Sequence, residues 1–334
     1  MENYIVCCDW GTSVFRLQLV NNNTGDVLKQ MSSADGVSSV HREWTSSLKA
    51  ISLKEFYLTK LLAHLNTLLL NVHFSGEVNQ VLISGMASSS IGLEELPYAD
   101  VPFSLDGQTA VIKNIPKTVD FPFDIFLISG VRVIDDVMRG EETQILGLAT
   151  SNNFIDFNTD AICILPGTHS KHIVIKDSQV VDFKTYLTGE LFQLLSTQSV
   201  LKGSVEHQSR SEELSESSLK AFYRGIDDSD PHLNMLNKLF SVRTNDLFGV
   251  MTKQDNYFYL SGLLIGNEIR SLQVDGIATI VLCCGNKLFE LYKLAIEKIH
   301  AGFPIKLISP EVMDKAAFIG QRRIFESYQL KNKI

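Results

Sequence analysis

The chain has 334 residues, of which 45% are apolar and 20% charged, with a formal net charge of −8. That length suggests two domains, or one large one, with ample material for a buried core. The negative balance argues against nucleic acid or an anionic membrane as main partner, and no apolar run approaches the roughly 18 residues of a membrane helix.

Met1-Glu2-Asn3-Tyr4 carries no basic region, and Asp9 interrupts the apolar run that follows, so no export signal is expected. Tyr4 to Cys8 is continuously apolar and predicts a strand buried on both faces. After Asp9-Trp10-Gly11-Thr12-Ser13 the pattern alternates: Phe15, Leu17 and Leu19 share one face, Arg16 and Gln18 the other. Asn23-Thr24-Gly25 breaks the run, and Val27 to Ser33 predicts a third strand. Trp44 to Val72 reads as one helix. Gln80 to Met86 and Phe123 to Ser129 read as short buried strands, each ending in small residues.

Ala161 to Ile175 repeats the design of the opening. An apolar strand ends at Gly167-Thr168-His169-Ser170, and a second strand follows. Val180 to Leu187 predicts a third strand, and Thr188 to Leu201 a helix. Gly11 and Gly167 lie 156 positions apart, close to half the chain. Two hairpins with hydroxyls directly after the glycine, at half-chain spacing, indicate duplication. The polar segment His207 to Ser218 predicts an exposed loop or helix start. A buried strand, a glycine turn at Gly285 and an amphipathic helix follow from Gly276, and a last strand and closing helix from Phe303. The odd count of five cysteines, the lack of a C-x-x-C pair and their apolar settings predict reduced core thiols and a cytoplasmic protein.

A glycine at a tight turn lets backbone N–H groups approach an anion, and neighbouring hydroxyls add donors. Two such turns could hold a nucleoside polyphosphate. Asp9 adds a carboxylate able to hold magnesium, directly or through water, whereas the second turn has Leu165 at the equivalent place. The G-x-x-x-x-G-K-[ST] loop, G-x-G-x-x-G, H-E-x-x-H and zinc-spaced Cys/His sets are all absent. His169 and His172, three apart on a strand, would point to opposite faces, which argues against a metal between them.

Asp9 to Ser13 resembles the first phosphate motif of the actin, Hsp70 and sugar-kinase superfamily, and "LPGTHSK" its second. Gly285-Asn286 falls where that superfamily has its adenosine motif. "DWGTSVFR", "SGMASSSIGLEELPYADVP", "VMRGEETQILG", "LPGTHSKH", "FKTYLTGEL" and "LSGLLIGNE" together, in this order, resemble the 2-dehydro-3-deoxygalactonokinase family. The resemblance implies an α/β fold of two ribonuclease-H-like domains facing each other across a cleft that closes on substrate. The domains are expected at residues 1–135 and 136–310, with 311–334 as a closing helix packed back across the cleft. It implies transfer of a phosphoryl group from ATP, with Mg2+, to the 6-hydroxyl of 2-dehydro-3-deoxy-D-galactonate, a small sugar acid. The sequence leaves the oligomeric state open.

A kinase of this kind needs a base for the acceptor hydroxyl and cations for the phosphates. Candidate bases are Asp9, Glu141, Glu142, Asp182 and Glu190. "MRGEETQ" resembles the Gly-Asp-Gln segment of FGGY-type carbohydrate kinases, which puts Glu141 or its neighbour Glu142 in the base position; acids at a helix start also simply suit the helix dipole. On the same resemblance Asp9 serves the metal, and Gly11, Thr12, Ser13, Gly167, Thr168 and His169 serve phosphate. Arg16, Arg139 and Lys171 are candidates for the substrate carboxylate. Gly85, Met86 and Ser88, after a buried strand, are candidates for the sugar pocket. Arg243 is a further candidate without a role. The competing readings are a kinase of the same fold for another sugar acid such as 2-keto-3-deoxygluconate, an ATPase switch without small-molecule acceptor, and a sugar-binding regulator without catalysis.

Overall fold

β1 (Glu2–Trp10) opens the chain in the computed structural model, which describes residues 2–47, 51–72, 76–150, 157, 159–206, 214–283 and 286–332. Its side chains alternate between two apolar layers, as the unbroken apolar run predicts. Tyr4, Val6, Cys8 and Trp10 enter one core, and Ile5 and Cys7 enter another. β2 (Phe15–Asn21) returns antiparallel, with Phe15, Leu17 and Leu19 on the first of these faces, and β3 (Val27–Ser33) pairs on β2.

The expected single helix from Trp44 is two helices. α1 (Val37–Ser46) ends before residue 48, and α2 (Leu53–Leu69) starts afresh. The new start is fixed by a capping box. Ser52 Oγ accepts from the Glu55 N–H at 3.2 Å, and Glu55 Oε2 accepts from the Ser52 N–H at 2.9 Å. Tyr57, Leu61, Leu65 and Leu68 then bury one face of α2 against the sheet, with Tyr57 edge-on to Trp10.

β4 (Gly76–Gly85) runs parallel to β1. The short strands β5 (Ala99–Asp100), β6 (Phe103–Ser104) and β7 (Ile112–Ile115) lead to β8 (Asp124–Ile128), parallel to β4. β9 (Val131–Arg132) and β10 (Val137–Met138) form a small ladder with β5, and α3 (Glu141–Thr150) follows. The sheet order β3-β2-β1-β4-β8, extended by β7, has the mixed hairpin-then-parallel arrangement of a ribonuclease-H-like layer.

The second half repeats it. β11 (Ala161–Leu165) and β12 (Ser170–Lys176) form the antiparallel hairpin, followed by β13 (Gln179–Tyr186) and α4 (Thr188–Thr197). α5 (Glu216–Asp228), α6 (Met235–Leu247) and α7 (Lys253–Arg270) come before β14 (Thr279–Cys283), which lies parallel to β11. α8 (Asn286–Ile299), β15 (Ile305–Ile308), parallel to β14, and α9 (Pro310–Lys331) complete the chain. The order β13-β12-β11-β14-β15 matches the first sheet strand for strand. The polar segment near 207–218 ends in the Ser215 cap of α5; its residues 207–213 lie outside the described residues.

The contacts divide the chain into two compact units. One comprises Met1–Asn158, Lys176–Asp182 and Glu311–Ile334; the other comprises Thr159–Ile175 and Phe183–Pro310. α3 and α9 therefore both belong to the first unit. There α9 covers the second face of β1, placing Phe318 and Phe325 against Ile5, Cys7, Leu82 and Phe126. In the second unit α5, α7 and α8 pack on Ile162, Ile164, Ile280 and Leu282. Cys7, Cys8, Cys163 and Cys283 are buried free thiols, and Cys284 lies outside the described residues. Among the described residues no helix is long and apolar enough to cross a membrane.

Candidate active site

In the first unit the candidate residues gather where β1 and β4 end and α3 begins. Asp9 faces its cross-strand partner Arg16, whose Nη1 donates to Asp9 Oδ2 at 3.0 Å. Burial raises the Asp9 carboxyl above the usual carboxylate range, and the Arg16 guanidinium pulls it back. On the other side of β1, Asp9 pairs with Ser84 and Trp10 with Gly85. Gly85 takes φ 86° and ψ −152°, a region open essentially to glycine alone. A Cβ there would lie 2.8 Å from the Trp10 carbonyl oxygen and 3.4 Å from Asp9 Oδ1. Gly85 thus lets the two strand ends meet beside the Asp9 carboxylate.

Gly140 comes to the same place: a Cβ on it would lie 3.5 Å from Gly85 Cα. The two glutamates after it differ sharply. Glu141 is half-buried, and its Oε2 accepts from the Arg139 N–H at 3.1 Å. Glu142 is 1% exposed, and both its oxygens accept from the Gly140 N–H, at 2.9 and 2.7 Å. Burial, then the neighbouring Glu141 charge, push the Glu142 carboxyl up to about 8, against the pull of backbone N–H groups and Arg139. A buried acid bonded to the turn it follows acts as a local brace for the start of α3.

Beneath this group lies Gln321 of α9, fully buried. Its Nε2 donates to the Cys8 carbonyl at 2.8 Å and to Ser84 Oγ at 2.7 Å, and Ser84 Oγ lies 3.4 Å from Thr143 Oγ1 of α3. One amide therefore links the strand carrying Asp9, the strand ending at Gly85 and the helix carrying Glu141. Arg139 is engaged with the loop after β4. Its Nη1 donates to Ser88 O and Oγ at 2.5 and 2.6 Å, its Nη2 to Leu96 O at 3.2 Å, and its guanidinium lies 3.9 Å from the Tyr98 ring centre. Ser88 is fully buried under it, and Met86 packs against the β1 core.

Both hairpin turns expose hydroxyls, at Thr12 and Ser13 and at Thr168. Each is backed by the N-terminal end of a helix with a glycine at the contact, Gly36 before α1 and Gly189 in the first turn of α4. Val37 and Ser38 N–H groups donate to Gly11 O and Thr12 O at 2.9 and 3.1 Å, and a Cβ on Gly36 would fall 2.4 Å from the Ser13 backbone. In the second unit the Glu190 N–H donates to Thr168 O at 2.9 Å, and a Cβ on Gly189 would fall 2.3 Å from Gly167 O. His169 sits on the exposed turn, 2.6 Å from Glu190 Oε2, while His172 is buried. Lys171, 5% exposed, donates to Thr185 Oγ1. Arg243 Nη1 donates to Ser204 Oγ at 3.1 Å and lies 3.7 Å from Asp246. Asn286 is the first residue of α8; Gly285 lies outside the described residues.

The residue types suit a magnesium–nucleotide better than a resident metal. Among the described residues no three metal-ligating side chains come together. Magnesium carried by phosphates needs only one or two carboxylates, the rest being phosphate oxygens and water, and Asp9 beside an exposed turn offers one. Gln321, Gly36, Gly189 and Glu268 were not among the sequence candidates. The first and last are polar residues inside helices, which local sequence reading takes for surface.

Comparison with known proteins places the chain in one family. The model of the 2-keto-3-deoxy-galactonokinase family matches residues 9–320. A protein of Rhizobium meliloti (strain 1021), described as a probable 2-dehydro-3-deoxygalactonokinase, is 32% identical over 303 residues, spanning 88% of this chain and 89% of its own. The 2-dehydro-3-deoxygalactonokinase of Escherichia coli (strain K12) is 32% identical over 232 residues, 66% of this chain and 71% of its own. A crystal structure from Sinorhizobium meliloti, provisionally described as a 2-dehydro-3-deoxygalactonokinase, superposes with a TM-score of 0.75 at 30% identity, covering 97% of this chain and 99% of that one.

Proposed function

Because the chain belongs to the 2-keto-3-deoxy-galactonokinase family, we propose that it transfers the γ-phosphoryl group of ATP to the 6-hydroxyl of 2-dehydro-3-deoxy-D-galactonate. It is a phosphotransferase with an alcohol group as acceptor. The observation that carries the assignment of roles is the convergence of Asp9, Gly85 and Gly140-Glu141 at adjoining strand and helix ends in the first unit.

Such a reaction needs the acceptor oxygen placed in line and relieved of its proton, and the phosphate charge screened. We assign the base to Glu141. It is the acid directly after Gly140 and the more exposed of the pair, whereas Glu142 is sealed and bonded to the turn. Asp9 holds the magnesium of the nucleotide, which supplies charge screening when bound, with Arg16 setting the ionisation of the carboxylate and adding a cation at its rim. Thr12 and Ser13, and Gly167, Thr168 and His169, offer donors to phosphate oxygens, and the start of α8 lies beside the adenosine segment. Arg139 keeps the Met86–Ser88 turn in place through Ser88, so its part in substrate binding is to shape the pocket. Lys171 is the buried lysine of the second hairpin and ties it to β13 through Thr185. The buried free thiols suit work in the reducing cytoplasm.

The test of the base is a comparison of Glu141→Gln with Glu142→Gln. The first is expected to lower kcat by roughly 100-fold to 10,000-fold with little change in KM. The second is expected to keep most of its activity at neutral pH. The reverse ranking would move the base to Glu142.

A further inference from the structure

The second unit contains a buried carboxylate that the proposed chemistry does not use. Glu268, on α7, has a side chain 1% exposed. Four side chains from three other elements converge on it. Ser170 Oγ donates to Oε1 at 2.6 Å, and His172 Nε2 lies 2.9 Å from the same oxygen; both belong to β12. On Oε2, Tyr292 of α8 donates at 2.8 Å, and Thr188 Oγ1 at the start of α4 donates as well. A carboxylate accepts only, and here both oxygens are taken up, which is the condition under which a buried polar network holds one arrangement.

The partners are not scattered. Ser170 closes the Gly167-Thr168-His169 turn. Thr188 precedes Gly189, whose backbone touches Gly167 and Thr168 so closely that a methyl group would not fit. Tyr292 stands on the helix that begins at Asn286, next to the expected adenosine segment. Building on the nucleotide reading of these segments given above, we propose that Glu268 is a positioning residue for the nucleotide. It ties the second phosphate turn, the start of α4 and α8 into one preset arrangement, so that ordering them is not left to the moment of binding. A plain structural brace would support the unit without favouring one ligand over the other.

The experiment uses the full chain and MgADP as probe. Calorimetric affinity is read beside the KM for ATP, the KM for the sugar acid and the melting temperature. Thr188→Val and Tyr292→Phe each remove one hydroxyl with little change of shape, Thr188→Ser keeps the hydroxyl, and Glu268→Gln changes the centre itself. Each single-hydroxyl variant is expected to weaken MgADP about tenfold, the size of one hydrogen bond to a charged group, and to raise the KM for ATP in step. The KM for the sugar acid should stay within about twofold, and Thr188→Ser should bind MgADP like the parent. If Glu268→Gln does not fold, the two hydroxyl variants decide alone. The inference is overturned if MgADP affinity is unchanged while the melting temperature drops, or if both substrates weaken together. Thr168→Val separates the underlying reading: if it weakens MgADP while Thr188→Val and Tyr292→Phe do not, the turn binds nucleotide and Glu268 has no positioning part. If Thr168→Val binds MgADP like the parent, the nucleotide reading falls, and the inference with it.

Discussion

Gly85→Ala perturbs the first unit beside Asp9, and the two costs it brings can both be read from the backbone. The residue would have to hold φ 86° and ψ −152°, which costs a side-chain-bearing residue about 1–3 kcal/mol. Its methyl group would also lie 2.8 Å from the Trp10 carbonyl oxygen, which is backbone of the central strand and has little room to move. Together these come to roughly 2–4 kcal/mol, or a fall of about 5–15 °C in melting temperature for a unit of this size. Because Trp10 follows Asp9 directly, the displaced strand end should also lower kcat. Scanning calorimetry and ADP release on the same preparation measure both. Gly167→Ala is the control. Its added methyl would meet nothing closer than 3.7 Å, so it should cost less than about 0.5 kcal/mol. The reasoning is refuted if Gly85→Ala melts with the parent, or if Gly167→Ala loses as much.

Two further outcomes concern charge. Arg16→Met removes the cation that holds the Asp9 carboxyl down, so the acidic limb of the kcat/KM profile should move to higher pH; a limb that stays or moves down would contradict the pairing. Glu142 is raised from its ordinary value to about 8, so its folded form retains a proton that the unfolded chain has lost. That contribution to stability is full below about pH 4.5 and declines as pH rises toward about 8, by at most roughly 1.4 kcal/mol per pH unit. Glu142→Gln removes the decline, so its melting temperature should gain on the parent between pH 5 and pH 8; a constant difference across that range would count against a protonated, buried Glu142.

The duplicated hairpins were legible because each combines a two-sided apolar strand, an alternating partner and a Gly-Thr turn, and all three signals are local. The ends of β3, Val27 and Ser33, are legible from local signals too. The break between α1 and α2 was written in Ser52 and Glu55, but an apolar run at helical spacing on the far side obscured it. α7 gave no stripe to read. α7 buries Asn256, Phe258 to Gly266 and Glu268 almost all round, so its polar and apolar residues alternate without a face. Within the candidate site the sequence supplied Asp9, Glu141 and the turn residues, which sit in short motifs. It did not supply Glu268, whose donors lie 98 and 80 positions away, or Gln321, whose acceptors lie 313 and 237 positions away. Such residues resemble surface polar groups until the fold closes over them. Ser88 shows how burial alters the reading of a loop hydroxyl. As a hydroxyl in a loop after a strand it suggests a ligand contact, but it is fully buried under Arg139.

The central claim is tested most directly by ADP release from the purified chain with Mg-ATP and single acceptors: 2-keto-3-deoxygalactonate, 2-keto-3-deoxygluconate, the parent aldonic acids, simple hexoses and no acceptor. Release that depends on acceptor and is fastest with 2-keto-3-deoxygalactonate is the predicted result. Release that is equal in the blank, or fastest with another sugar, would contradict the assignment.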